Sequence, residues 1–134
     1  MLIDSSTNMV ESVEAHYITS SSGDKYYAEI LHFVGGKVLV ISHNAIALYK
    51  SAAAISDPLG NGIIKLATLP DSIRFNMSDT PWVVRHISGF IELIDQYIIL
   101  ILPNSIRLYR GKEDALRNSN VILELPFDGS DSHT

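Results

Sequence analysis

The chain has 134 residues, with 46% hydrophobic and 19% charged side chains and a formal net charge of −5. That much apolar material builds a core and excludes intrinsic disorder over most of the chain. The acidic balance argues against a nucleic-acid partner. The absence of cysteine removes disulfides, thiolate nucleophiles and Cys-bound zinc or iron–sulfur clusters.

Residues 1–11 are polar and read as a flexible tail. They lack the charged and apolar regions of a signal peptide. The first strand is expected over Val13–Thr19 and ends in the polar turn Ser20-Ser21-Ser22-Gly23-Asp24. A second strand, Lys25–Val34, runs into Gly35-Gly36, which supplies the positive φ of a tight hairpin. A third strand, Lys37–Ser42, turns at His43-Asn44, where both residue types tolerate the left-handed region, into a fourth, Ala45–Lys50. The alanine-rich stretch Ser51–Ser56 suits one helical turn. The loop Asp57–Gly62 then leads to a fifth strand, Ile63–Thr68.

The same plan recurs in the second half. Strands are expected over Ile73–Ser78, Val83–Ile94, Gln96–Leu102, Ser105–Arg110 and Val121–Leu125, with a helical turn over Lys112–Asn118. The segment Ile41–Lys50 repeats as Ile101–Arg110 at an offset of 60, with Ile, Asn, Ile, Leu and Tyr identical. Ile30–Val34 lies over Phe90–Ile94 at that offset, and Ser12–Tyr17 over Ser72–Met77. Downstream the phase slips, placing Ile63–Leu66 over Val121–Glu124. Repeats set the architecture and must be recognised first. The expected fold is therefore mainly β, with two tandem five-stranded repeats at 12–71 and 72–127 and a flexible tail at 128–134. Each repeat carries a helical turn before its last strand, and the two fuse into a pseudo-twofold β-sandwich or barrel. Pro103 cannot adopt positive φ, so Pro103-Asn104 must form a type I or II turn.

The third strand of each repeat is apolar on both faces, as Val38–Ile41 and Ile98–Leu102 show. Such a strand needs cover on both sides. Val38, Val40, Ile98 and Leu100 are accordingly candidate interface residues, covered by the other repeat or by a second chain. The single tryptophan, Trp82, is a further candidate, expected either to pack against the linker between the repeats or to anchor an interface. The repeated Tyr49-Lys50 and Tyr109-Arg110, with Arg107 beside the second pair, form a candidate binding set. If Leu48 and Leu108 are core, both tyrosines lie on the opposite face with their hydroxyls available for an acidic or aromatic partner.

Residues for chemistry are sparse. His16, His32, His43, His86 and His133 show no metal-ligand spacing, so no metal site and no cofactor is expected. Glu14, Glu29 and Glu92 are the strand carboxylates open to acid/base work, and each is expected to face solvent. Gly35-Gly36-Lys37 fails as a phosphate loop because Val38 stands at the Ser/Thr position. No catalytic set emerges. The expectation is a non-enzymatic protein-interaction or scaffolding module, self-associating as a homodimer or bound to a protein partner. The alternatives are a small-ligand or carbohydrate-binding β protein, and a hydrolase or isomerase using a strand carboxylate. The longest apolar run is Tyr97–Leu102, too short for a membrane span, and a cytoplasmic protein is expected.

Overall fold

A computed structural model describes residues 10–19, 22, 23, 25–57, 59–71, 82–87 and 89–127. Residues 1–9 of the tail expected at 1–11, the tail expected at 128–134 and the expected strand Ile73–Ser78 lie outside the described residues, whereas Val10 and Glu11 begin the first strand. The chain is mainly β, as its Val, Ile, Tyr and Phe content demands. In order it forms β1 (Val10–Thr19), β2 (Lys25–Phe33), β3 (Val38–Ser42), β4 (Ala45–Tyr49), a 3-10 turn (Ala53–Ser56), β5 (Ile63–Thr68), β6 (Val83–Ile87), β7 (Phe90–Leu93), a second 3-10 turn (Ile94–Gln96), β8 (Ile98–Leu102), β9 (Ser105–Tyr109), α1 (Lys112–Arg117) and β10 (Val121–Pro126).

The strands form two antiparallel five-stranded meanders, β1-β2-β3-β4-β5 and β6-β7-β8-β9-β10. Neither sheet closes on itself, so neither is a barrel. One hydrophobic cluster draws on both sheets. Leu31, Leu39, Ile41, Ile46 and Leu48 come from the first, and Ile91, Leu93, Ile99, Ile106 and Leu108 from the second.

The pairing registers of the two sheets correspond step for step. Val38↔Tyr49, Leu39↔Leu48 and Ile41↔Ile46 in the first sheet match Ile98↔Tyr109, Ile99↔Leu108 and Ile101↔Ile106 in the second, at the offset of 60. The last strands match too. Ile46↔Ala67 and Tyr49↔Ile63 correspond to Ile106↔Leu125 and Tyr109↔Val121, and both ladders carry a bulge at the same place. Outside the ladders, the bond from Leu69 N–H to the Asn44 carbonyl has its counterpart from Phe127 N–H to the Asn104 carbonyl.

The first strand departs from the expected alignment. β7 pairs through Glu92↔Arg85 and Leu93↔Val83, where β2 pairs through His32↔Ser12 and Phe33↔Val10. β6 thus takes the ladder place in the second sheet that β1 takes in the first, and Ser72–Met77, the segment expected to match Ser12–Tyr17, lies outside the described residues. The single expected strand Val83–Ile94 is broken by a turn at Gly89, whose φ is +83°. Both ladders also bulge at the equivalent step.

Turn chemistry corrects three details. In the β2–β3 turn the left-handed residue is Gly36 alone (φ 99°). At the equivalent turn Asp95 (φ 62°) and Gln96 (φ 71°) take left-handed conformations without being glycine. His43, Asn44, Pro103 and Asn104 all keep negative φ, so neither of these hairpins uses the left-handed region expected at His43-Asn44.

Candidate functional site

The doubly apolar strands are covered on both sides within the chain. On β3, Leu39 and Ile41 face the shared core, whereas Val38 and Val40 join Ala28 and Ile30 in an outer cluster. Tyr49 and Ile55, the latter in the 3-10 turn, pack against that cluster. On β8, Ile98 joins Tyr109 and Ala115 of α1 in a second outer cluster, with Phe90 and Leu100 packed on it. The helical turn that follows the fourth strand of each sheet therefore folds back as a lid over the strand's outer face. Val38, Val40 and Ile98 are buried by this chain alone, and Trp82 is fully buried in the shared core.

The two tyrosine–cation positions share a place in the ladder but not an environment. Leu48 and Leu108 are core, and Tyr49 and Tyr109 lie on the outer faces, as alternation requires. Tyr109 is fully buried, and its hydroxyl donates to Asn118 Oδ1 at 2.7 Å. Arg107 Nη1 donates to the same oxygen at 2.9 Å, and Arg107 Nε donates to Glu124 Oε2 at 2.8 Å. The Glu124 carboxylate, and after it Tyr109, holds the Arg107 guanidinium above its ordinary range. Tyr109 and Arg107 are thus committed to one intramolecular network. Tyr49 is half-buried and Lys50 exposed. Where the second sheet pairs Arg107 with Glu124, the first pairs Ala47 with Leu66, and Leu66 is 60% exposed.

Arg110 is exposed and lines a shallow cleft of about 360 Å³ with Gln96, Gly111, Lys112, Glu113 and Asp114. The structure therefore does not gather the five binding candidates in one place. Arg107 and Tyr109 form the network at Asn118, Arg110 opens on the cleft, and Tyr49 and Lys50 belong to the other sheet.

The strand carboxylates meet different fates. Glu14 Oε1 lies 2.6 Å from His32 Nε2, and Glu92 Oε1 accepts from Arg85 Nη2 at 2.8 Å, both across neighbouring strands. Glu29 does not face solvent as expected, being only 1% exposed. Its Oε2 accepts from the Tyr27 hydroxyl at 2.6 Å and from the backbone N–H of Trp82, and its Oε1 accepts from the Val83 N–H at 2.9 Å. The signal was present in the alternation Tyr27, Glu29, Leu31, Phe33, which puts Glu29 on the core face. It was obscured because Ala28 and Ile30, on the opposite face, are equally apolar. Asn118, also missed, occupies the left-handed position (φ 52°) after α1, a place asparagine favours after glycine.

Among the described residues, no three His, Cys, Asp or Glu side chains converge as a metal site would require. No helix of the described residues is long and apolar enough to cross a membrane. No protein-family model matches the chain, and neither a curated protein nor a solved structure matches it.

Proposed function

We propose that the chain is a non-enzymatic protein-interaction module that self-associates. We further propose that it is built from two tandem copies of one five-stranded unit, packed face to face about a pseudo-twofold axis. The equivalent registers and bulges of the two ladders support the duplication. So do the element order and the lid-like helical turn common to both sheets. The cluster shared by the sheets supports the face-to-face packing.

The observation that carries the interaction reading is the state of the edges. Both sheets are open, and apolar side chains stand exposed along their edge strands. They include Tyr17 (51%) on β1, Leu66 (60%) and Ile63 on β5, Val84 and Ile87 (both 60%) on β6, and Val121 on β10. An open edge offers unpaired backbone donors and acceptors to another chain, and apolar neighbours add contact area. The carboxylate with the most enclosed setting, Glu29, already accepts three hydrogen bonds from its own chain. That engagement weighs toward binding over acid/base catalysis.

Light scattering coupled to size-exclusion chromatography tests the reading. The expected result is a dimer whose population rises with concentration. A monomer that persists to millimolar concentration overturns it.

A further inference from the structure

The geometry points to β1 as the self-association edge, with two copies pairing antiparallel through β1 about a twofold axis at Ala15. This inference rests on the self-association reading and specifies its surface. Four strands end the two sheets: β1, β5, β6 and β10. β10 ends in Pro126, which donates no ladder hydrogen bond. β5 and β6 have six and five residues, and each ladder is interrupted by a bulge. β1 has ten residues and an unbroken register from Ser12 to Thr19, without proline, lysine or arginine. Sheet edges are normally guarded by short strands, lysine, proline or bulges, and β1 has the least of these.

The strand is self-complementary in one register. A twofold axis perpendicular to a sheet sets residues of one face opposite residues of the same face, so the axis must pass through a residue. Centred on Glu14, it opposes two carboxylates. Centred on His16, it opposes two imidazoles. Centred on Val13, it sets Glu14 opposite Ser12 and brings no charged group to an imidazole. Centred on Ala15, it sets Glu14 opposite His16 of the second copy twice, and Val13 opposite Tyr17 twice.

Glu14 and Ala15 are exposed, His16 is half-buried, and Tyr17 is half exposed. An imidazole N–H donates to a carboxylate whether or not the ring is protonated. Glu14 already makes such a contact with His32 through Oε1, and a carboxylate accepts at both oxygens. Val13 against Tyr17 is a β-branched–aromatic pair, among the favourable cross-strand combinations.

Two experiments on the full chain test this. In the first, sedimentation equilibrium compares the unmodified chain with Glu14→Arg, His16→Glu and the double variant, each confirmed as folded by far-ultraviolet circular dichroism. His16→Glu sets two carboxylates opposite each other twice, and Glu14→Arg replaces the carboxylate acceptor facing each imidazole with a donor-only guanidinium; each single change is expected to weaken the dimer about tenfold. The double change sets a guanidinium opposite a carboxylate twice and is expected to recover most of the affinity. A dimer unaffected by the single changes overturns the β1 assignment and leaves self-association standing. Single changes that weaken the dimer without recovery in the double variant overturn the register. A monomeric unmodified chain overturns both this inference and the reading beneath it.

In the second, Ala15→Cys introduces a thiol into a chain that has no cysteine. Residues opposed in an antiparallel ladder are close enough for a disulfide. Mild oxidation is expected to link two copies through position 15, while Thr68→Cys on β5 stays unlinked. Failure of Ala15→Cys to link, or equal linking at both positions, overturns the proposal.

Discussion

The Glu29 carboxylate on β2 accepts the backbone N–H of Trp82, 53 residues away, at the entrance to the second sheet. With the Val83 N–H and the Tyr27 hydroxyl also bound, it fastens the start of β6 to the β1–β2 hairpin. The Tyr27 ring meets the Trp82 indole edge-on at 4.9 Å, and Tyr17 meets Tyr27 at 5.7 Å. The clasp has no equivalent in the other direction, because the position 60 residues after Glu29 is Gly89. It is the clearest departure from equivalence between the halves.

Removing that carboxylate leaves three donors facing a low-dielectric core. Glu29→Ala is expected to lower stability by about 3–5 kcal/mol, since each orphaned buried donor costs about 1–3 kcal/mol and relaxation recovers part of the loss. Glu29→Gln keeps the shape but presents an amide N–H to a backbone donor, and should cost about 1–3 kcal/mol. Urea denaturation read by circular dichroism measures both. A loss below 1 kcal/mol for Glu29→Ala would contradict the clasp.

Trp82 reports on the same junction. It is fully buried and is the single tryptophan. Its fluorescence should be blue-shifted in the native protein and move red in one step with the circular-dichroism transition if the shared core unfolds as a unit. Trp82→Ala should cost about 3–5 kcal/mol. An emission maximum already near that of free tryptophan in the native protein would contradict the burial.

Gly62, where the loop enters β5, has no room for a side chain. A Cβ there would overlap the Cβ of Ala54 in the 3-10 turn, which closes against this position. Gly62→Ala is therefore expected to destabilise by about 1–3 kcal/mol through overpacking. Ala54→Gly combined with Gly62→Ala should recover most of that loss, and the coupling is read from a double-mutant cycle of urea midpoints. Additive effects would show that the lid is not seated by this contact.

The Asn118 network makes a graded prediction. Tyr109→Phe deletes one hydrogen bond to Asn118 and should cost about 1 kcal/mol. Asn118→Ala deletes the acceptor shared by Tyr109 and Arg107 and leaves alanine in a left-handed conformation. It should cost more, about 2–3 kcal/mol. Asn118→Gly loses the acceptor but keeps the backbone freedom, and should fall between the two. Thermal denaturation of the three variants gives the order, and a milder effect for Asn118→Ala than for Tyr109→Phe would contradict the geometry.

Much of the strand pattern was legible because local chemistry decides it. The β-branched and aromatic runs marked the strands, and the repeat from Ile41–Lys50 to Ile101–Arg110 fell on ladders with matching registers. The phase slip before Val121 also appeared in the pairing. The break inside Val83–Ile94 was not legible. Ser88-Gly89 is a weak turn signal inside an apolar run, and hydrophobic character alone cannot count the strands in it. For the same reason the sequence did not single out β6 as the strand in β1's ladder place.

The site was legible in composition but not in assembly. Tyr49 and Tyr109 occupy equivalent outer positions, yet one joins an apolar cluster and the other shares an acceptor with Arg107. Residues distant in the chain, such as Asn118 and Glu124, decide that difference.

The amino-acid order alone was enough to show that this chain is mainly β and that hairpins turn at Gly35-Gly36, His43-Asn44 and Pro103-Asn104. Alternation and turn residues are local properties, and they survive without knowledge of the fold. What covers the doubly apolar strands, and which donors meet the Glu29 carboxylate, came only with the packed fold. A side chain's burial depends on what packs over both faces of its strand. Here the far sheet covers the inner face and a helical turn of the same chain covers the outer one.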